Sequence, residues 1–199
     1  MASRRQLFGL AAGLATAGTM TGLALRPPAS SGGVRGFPNV PLVTHDDRKV
    51  RFYDDLVSGR VVMINFMYAD CAGICPTITR NLQEVQQMLG EEVGRSIHMY
   101  SFSLRPEVDT PAKLEEYRAM HDIPHGWTFL TGRRSDVELV RRKIGFADLD
   151  PELDRDITQH VGLVMCGNEP RDRWAACPAL SKPSAIYSLV RSVEGAAPV

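Results

Sequence analysis

Apolar and polar positions along this chain switch repeatedly between a period of two and a period of three to four. Residues 60–68, Arg-Val-Val-Met-Ile-Asn-Phe-Met-Tyr, form a nearly continuous apolar run of β-formers, which predicts a buried central strand. Ile78, Leu82, Val85 and Leu89 follow at helical spacing with Pro76 in a position that a first turn tolerates, predicting a helix over 75–89. Residues 96–104 alternate His98, Tyr100 and Phe102 against Ile97, Met99 and Ser101, the mark of a second strand. Asp109, Thr110 and Pro111 form a helix start before Leu114, Tyr117 and Met120. A third strand over 127–130, a helix on Val137, Val140 and Ile144, a strand over 160–166 and a last helix on Ile186, Leu189, Val190 and Val193 complete the pattern. Residues 42–52, with Asp46 and Asp47 in the middle, read as a hairpin leading into the core. Such alternation predicts an α/β fold, a central sheet with helices on both faces.

The ends of the chain differ from this pattern. Arg4 and Arg5 precede a charge-free stretch of Ala, Gly, Leu and Thr that ends at Leu25. Residues 1–25 resemble a twin-arginine export signal, with an uncleaved N-terminal anchor as the alternative. Residues 26–39, rich in Pro, Ser and Gly, read as a flexible linker, and 40–199 as one domain. The expected location is the periplasm or the outer face of the cytoplasmic membrane, with membrane contact only through the N-terminus. Lys plus Arg equals Asp plus Glu at 23 each, so the bulk charge offers nothing to nucleic acid.

Chemistry enters with the four cysteines. Cys71 and Cys75 flank Ala72-Gly73-Ile74 and are followed by Pro76, at the turn between the central strand and the first helix. The free N–H groups and positive dipole end of that helix favour thiolate, the form that attacks disulfides and binds soft metals. Gly73 gives the loop backbone freedom. The pair is a candidate catalytic redox dithiol, and equally two donors of a metal site with room for a third. A static structural pair is the plain alternative.

Two thiolates suit Cu(I), and a neutral imidazole is a natural third donor for Cu(I) or Cu(II). Of the five histidines, His45, His98, His121 and His125 sit in turn, strand or helix-end positions where packing roles are usual; His160 stands apart by opening a late strand. At this point the chain resembles the Sco/SenC family of cytochrome c oxidase assembly factors. Asn65-Phe66, Cys71-xxx-Cys75-Pro76, Asp109-Thr110-Pro111, the run 126–132 and His160 occur in that family's order and spacing. The resemblance implies a thioredoxin-like fold and one bound copper ion. It further implies Cys71, Cys75 and His160 as ligands, with the copper subunit of cytochrome c oxidase or another cuproenzyme as partner. In the family, copper goes to the Cu-A site or that site's thiols are acted upon. Two positions depart from the pattern: Arg105 stands where many members have aspartate, and Gln159 where an acid usually precedes the histidine, with Asp156 the nearest acid.

The second pair, Cys166 and Cys177, brackets a turn-rich segment and reads most simply as a hairpin-like excursion stapled by a disulfide; free thiols or a second metal or resolving site are the alternatives. The function expected is an exported copper metallochaperone, with a thiol-disulfide oxidoreductase acting on partner cysteines as the other reading. A peroxidase is disfavoured, because Tyr68-Ala69-Asp70 stands where peroxiredoxins need threonine and proline.

Overall fold

The computed structural model describes residues 36–71, 73–148, 150–155 and 162–195. The export-like segment 1–25, most of the linker, and Asp156, Gln159 and His160 lie outside the described residues. The strands are β1 (Pro41–Thr44), β2 (Lys49–Arg51), β3 (Val61–Met67), β4 (Ile97–Ser103), β5 (Trp127–Thr131), β6 (Leu163–Asn168) and β7 (Arg173–Pro178). The helices are α1 (Cys75–Leu89), α2 (Pro111–Met120), α3 (Arg134–Lys143), α4 (Pro151–Arg155) and α5 (Pro183–Glu194). All seven strands join one sheet in the order β2-β1-β5-β4-β3-β6-β7. β3, β4 and β5 run parallel, while β1, β6 and β7 pair antiparallel to their neighbours.

Strand alternation sorts the core into two layers. Met63 and Met67 of β3 point, with Met99, Trp127 and Phe129, towards α1, α2 and α5. Val62, Ile64 and Phe66 point, with Tyr100, Phe102 and Leu130, towards α3 and a π-helical turn over Phe52–Val57. The expected helices on both faces are therefore present. Helix α1 packs through the predicted stripe of Ile78, Leu82, Val85 and Leu89, all buried. Each such side chain contributes roughly 2 kcal/mol of apolar burial.

Most element boundaries follow the hydrophobic pattern, with three differences. The N-terminal hairpin stops at Arg51, because Phe52, Leu56 and Val57 are buried in a π-helical turn whose spacing no strand would satisfy. Strand β6 runs Leu163–Asn168 within the described residues, later than the expected start at 160. The excursion after Cys166 is a true hairpin, β6 with β7, but the expected staple is not formed: both cysteines are free thiols. Register is the reason. Cys166 faces Ala175 and Cys177 faces Val164, so the two thiols are diagonal. Diagonal positions lie about 7–8 Å apart, too far for the short Cβ separation of an ordinary disulfide.

One corner tolerates only glycine. Gly126, at φ +94, enters β5 so close to the chain that a Cβ there would sit 2.6 Å from the Val93 carbonyl oxygen. Gly126→Ala is expected to destabilise the fold by about 2 kcal/mol, and thermal denaturation should show Tm lowered by about 4–8 °C.

Candidate metal and redox centre

The dithiol sits where the sheet's central strand runs out. Met67 ends β3, its carbonyl accepting the Leu104 N–H at 2.8 Å, and a turn closed by the Cys71 N–H on the Tyr68 carbonyl at 3.2 Å carries the chain to Cys71. Pro76 lies in the first turn of α1, where its missing N–H costs nothing. No side chain caps that end, so its N–H groups are left to the cysteine loop.

Cys71 is half-buried and Cys75 buried at 3% exposure, and this difference splits their chemistry. At Cys71 burial opposes ionisation. Hydrogen bonds from the Cys75 thiol and N–H, the Tyr68 hydroxyl and the Gly73 N–H nevertheless hold its pKa below the ordinary thiol value. Cys75 is pushed up to about 12, first by burial and then by its hydrogen bond to Cys71. The helix-end argument made from the sequence thus holds for Cys71 and fails for Cys75, where desolvation outweighs the dipole. Tyr68 is raised to about 12, chiefly because its hydroxyl donates to Cys71, so it remains a phenol. The Arg105 guanidinium lies over the Tyr68 ring at 5.9 Å, which gives that departure from the family pattern a place beside the dithiol.

Asp109 is the residue whose part sequence reasoning missed. Thr110 caps α2 by accepting the Lys113 N–H at 3.3 Å, whereas Asp109 turns inward at 1% exposure. Its Oδ2 accepts the Ala69 N–H at 3.2 Å and the Ser103 hydroxyl at 2.6 Å, tying the cysteine loop to the end of β4. Oδ1 has no hydrogen-bond partner among the described residues. An acid before Thr-Pro reads as a capping residue, and only the fold shows that it points away from the helix. On the rim, Asp70 and Lys113 form an ion pair at 2.6 Å.

Of the expected metal ligands, Cys71 and Cys75 are brought together and His160 lies outside the described residues. Gly162, two positions after His160, packs on the first turn of α1: a Cβ there would meet Ile78 Cδ1 at 2.8 Å and Ile74 Cδ1 at 3.1 Å. Among the described residues, no cluster of three His, Cys, Asp or Glu side chains is placed to hold a metal ion. Three of the other histidines are engaged elsewhere: the His45 ring accepts the Phe129 N–H at 3.2 Å, His98 meets Arg60 at 3.1 Å and His121 packs on Tyr117 at 4.4 Å. Also among the described residues, no helix is long and apolar enough to cross a membrane.

A mixed sheet with an asymmetric dithiol at a strand-to-helix turn defines a thioredoxin-like protein. The chain matches the SCO1/SenC family over residues 39–182 and belongs to that family. The SCO1 protein homolog of Bacillus subtilis (strain 168) is 32% identical over 84 residues, 41% of this chain and 43% of that relative, so the match spans less than half the relative's length. BsSco, a Sco-family protein with a disulfide switch, superimposes with a TM-score of 0.63 at 23% identity, covering 80% of this chain and 94% of that one. Copper-bound ScoI of Bradyrhizobium japonicum gives a TM-score of 0.60 at 22% identity, covering 78% and 99%. At these identities the likeness to the two structures establishes the fold.

Two measurements check the centre. Iodoacetamide labelling followed against pH should show Cys71 ionising below the usual thiol range of about 8.5; Tyr68→Phe should move that midpoint upward, while Cys75 stays unreactive until far higher pH. Asp109→Ala leaves the Ala69 N–H and the Ser103 O–H without an acceptor, and chemical denaturation should register a loss of about 1–3 kcal/mol.

Proposed function

We propose that this protein is an exported copper metallochaperone that binds one copper ion through Cys71, Cys75 and His160. Its task on this reading is to assist assembly of the Cu-A site of cytochrome c oxidase or of a related cuproenzyme. The observation that carries the ligand set is the packing of Gly162 against Ile74 and Ile78, the residues on either side of Cys75 in the first turn of α1. His160 is two residues from that contact, a span of at most about 7 Å of extended chain, so an imidazole within reach of both sulfurs fits the connectivity. The donor set fits the cargo: thiolate sulfur selects soft Cu(I), and imidazole also accommodates Cu(II). Copper-bound ScoI shares the fold, and the twin-arginine-like start of this chain fits export.

A second reading, thiol-disulfide exchange with partner cysteines, is favoured by the asymmetry of the thiols. An accessible, readily ionised Cys71 beside a buried, protonated Cys75 is the arrangement of an attacking and a resolving thiol. Copper titration of the full chain separates the two. Under the chaperone reading, binding is one-to-one, is lost in Cys71→Ser and Cys75→Ser, and weakens about 10-fold or more in His160→Ala. Unchanged affinity and stoichiometry in His160→Ala, with undiminished turnover of a disulfide substrate, would favour the oxidoreductase.

A further inference from the structure

On the other face of the sheet, at the opposite end of the parallel strands from the dithiol, lies a cavity of about 900 Å³. It opens between the β1–β2 hairpin, the π-helical turn and the starts of β3, β4 and β5. The whole of β3, about 20 Å, separates it from the cysteine loop. Nothing in the copper or thiol chemistry uses it.

The cavity's charges are unevenly committed. Its two acids are held by the framework. Asp54 accepts from Asn39 Nδ2 at 2.7 Å and pairs with Arg51 Nε at 3.8 Å. Asp55 accepts the Arg51 N–H at 2.6 Å. Arg48 is spent on Asp46 at 2.7 Å. Arg60 and Lys49, by contrast, have no carboxylate within salt-bridge distance among the described residues; Arg60 meets only the His98 ring, 3.1 Å from its Nη1. The guanidinium donates one N–H to the imidazole and keeps others with no carboxylate to meet them.

A second observation comes from the cavity wall. Tyr100 is 4% exposed and lines the cavity. Its ring stacks on His98, with 6.3 Å between centroids and 8° between planes, which fixes both side chains on the cavity wall. Burial raises the phenol to about 12, so it is a donor. A phenol donor, a guanidinium with N–H groups to spare and an ammonium without a carboxylate partner among the described residues therefore line one cavity.

We infer that this cavity binds a small organic oxyanion, a phosphate- or carboxylate-bearing molecule, held by Arg60, Lys49 and the Tyr100 hydroxyl. The volume falls within the usual range for small-molecule sites, roughly 300–1,000 Å³, and exceeds what a lone inorganic ion fills. Thr128 and the His98 ring add polar contacts on the β4–β5 side.

The test uses pyrophosphate and citrate as probes for the two sources of oxyanion. Each is titrated at fixed ionic strength into the full, isotopically labelled chain, with backbone amide shifts as readout. Saturable shifts at Lys49, Arg60, His98 and Thr128 are expected with at least one probe, and the probe that binds identifies the phosphate or carboxylate class. Arg60→Ala and Lys49→Ala should weaken binding about 10-fold, the loss of one charge-assisted contact. Tyr100→Phe, which keeps the ring, should weaken it several-fold, and Arg80→Ala on exposed α1 should not change it. Cys71→Ser should also leave binding intact, which separates this site from the copper site. No saturable shift with either probe up to about 10 mM, or binding that Arg60→Ala and Tyr100→Phe both leave unchanged, would overturn the inference.

Discussion

β3 is enclosed on every side: β4 pairs along one edge, β6 along the other, and apolar layers cover both faces. Six of its seven residues are buried. A strand held in this way has no freedom of register, because a slip of one residue would exchange its two core faces. The segment that leaves its C-terminal end is therefore delivered to a fixed point. There the chain must reverse into α1 while every donor left by the strand finds a partner. Asp109 meets that need by gripping the Ala69 N–H and the Ser103 hydroxyl with one oxygen. The reactive thiols are thus anchored through a buried carboxylate that belongs to neither the strand nor the helix on which they sit.

Rigidity of the scaffold makes the difference between the thiols a property of place. Both cysteines belong to one short loop, yet one lies at the surface of the turn and the other on the buried side of α1. Hydrogen bonds converge on Cys71 from Tyr68, Gly73 and Cys75, whereas Cys75 meets apolar neighbours. Moving the second cysteine by one residue along the helix would rotate it about 100° and expose it. The three-residue spacing therefore sets accessibility as well as reach.

The sequence carried most of the fold because its signals were periodic: the apolar run of β3, the 3–4 stripe of α1 and the alternation of β4 each reflect a face packed in the structure. What it could not carry was non-local. The π-helical turn at Phe52–Val57 owes its shape to burial of three side chains against distant strands. Cys166 and Cys177 looked like a bridge because sequence separation says nothing of register, and register sets them diagonally. The dithiol itself was plain from spacing and its helix-start position. Its inequality was not, since burial weighs on both thiols and it is the hydrogen bonds from Tyr68, Gly73 and Cys75 that tip Cys71 the other way. Tyr68, Arg105 and Asp109 reach the centre from three different segments, and only the last gave any local signal, which pointed to capping.

On the function proposed above, the protonated state of Cys75 also bears on how copper and thiol chemistry would share one site. A soft cation binds thiolate, so a metal arriving at the pair must displace the Cys75 proton against the burial that holds it. That burial ceases to oppose ionisation once a positive charge sits beside the sulfur, because the ion supplies the stabilisation that water is prevented from giving. Thiol exchange meets the same barrier from the other side: Cys75 stays protonated while Cys71 attacks, and it becomes reactive only when Cys71 is tied up in a mixed disulfide and no longer presents a neighbouring negative charge. In both cases the event at the accessible thiol licenses ionisation of the buried one. On the proposed ligand set, one geometry would therefore serve either chemistry, and the choice between them would fall to the third donor and to what the partner presents.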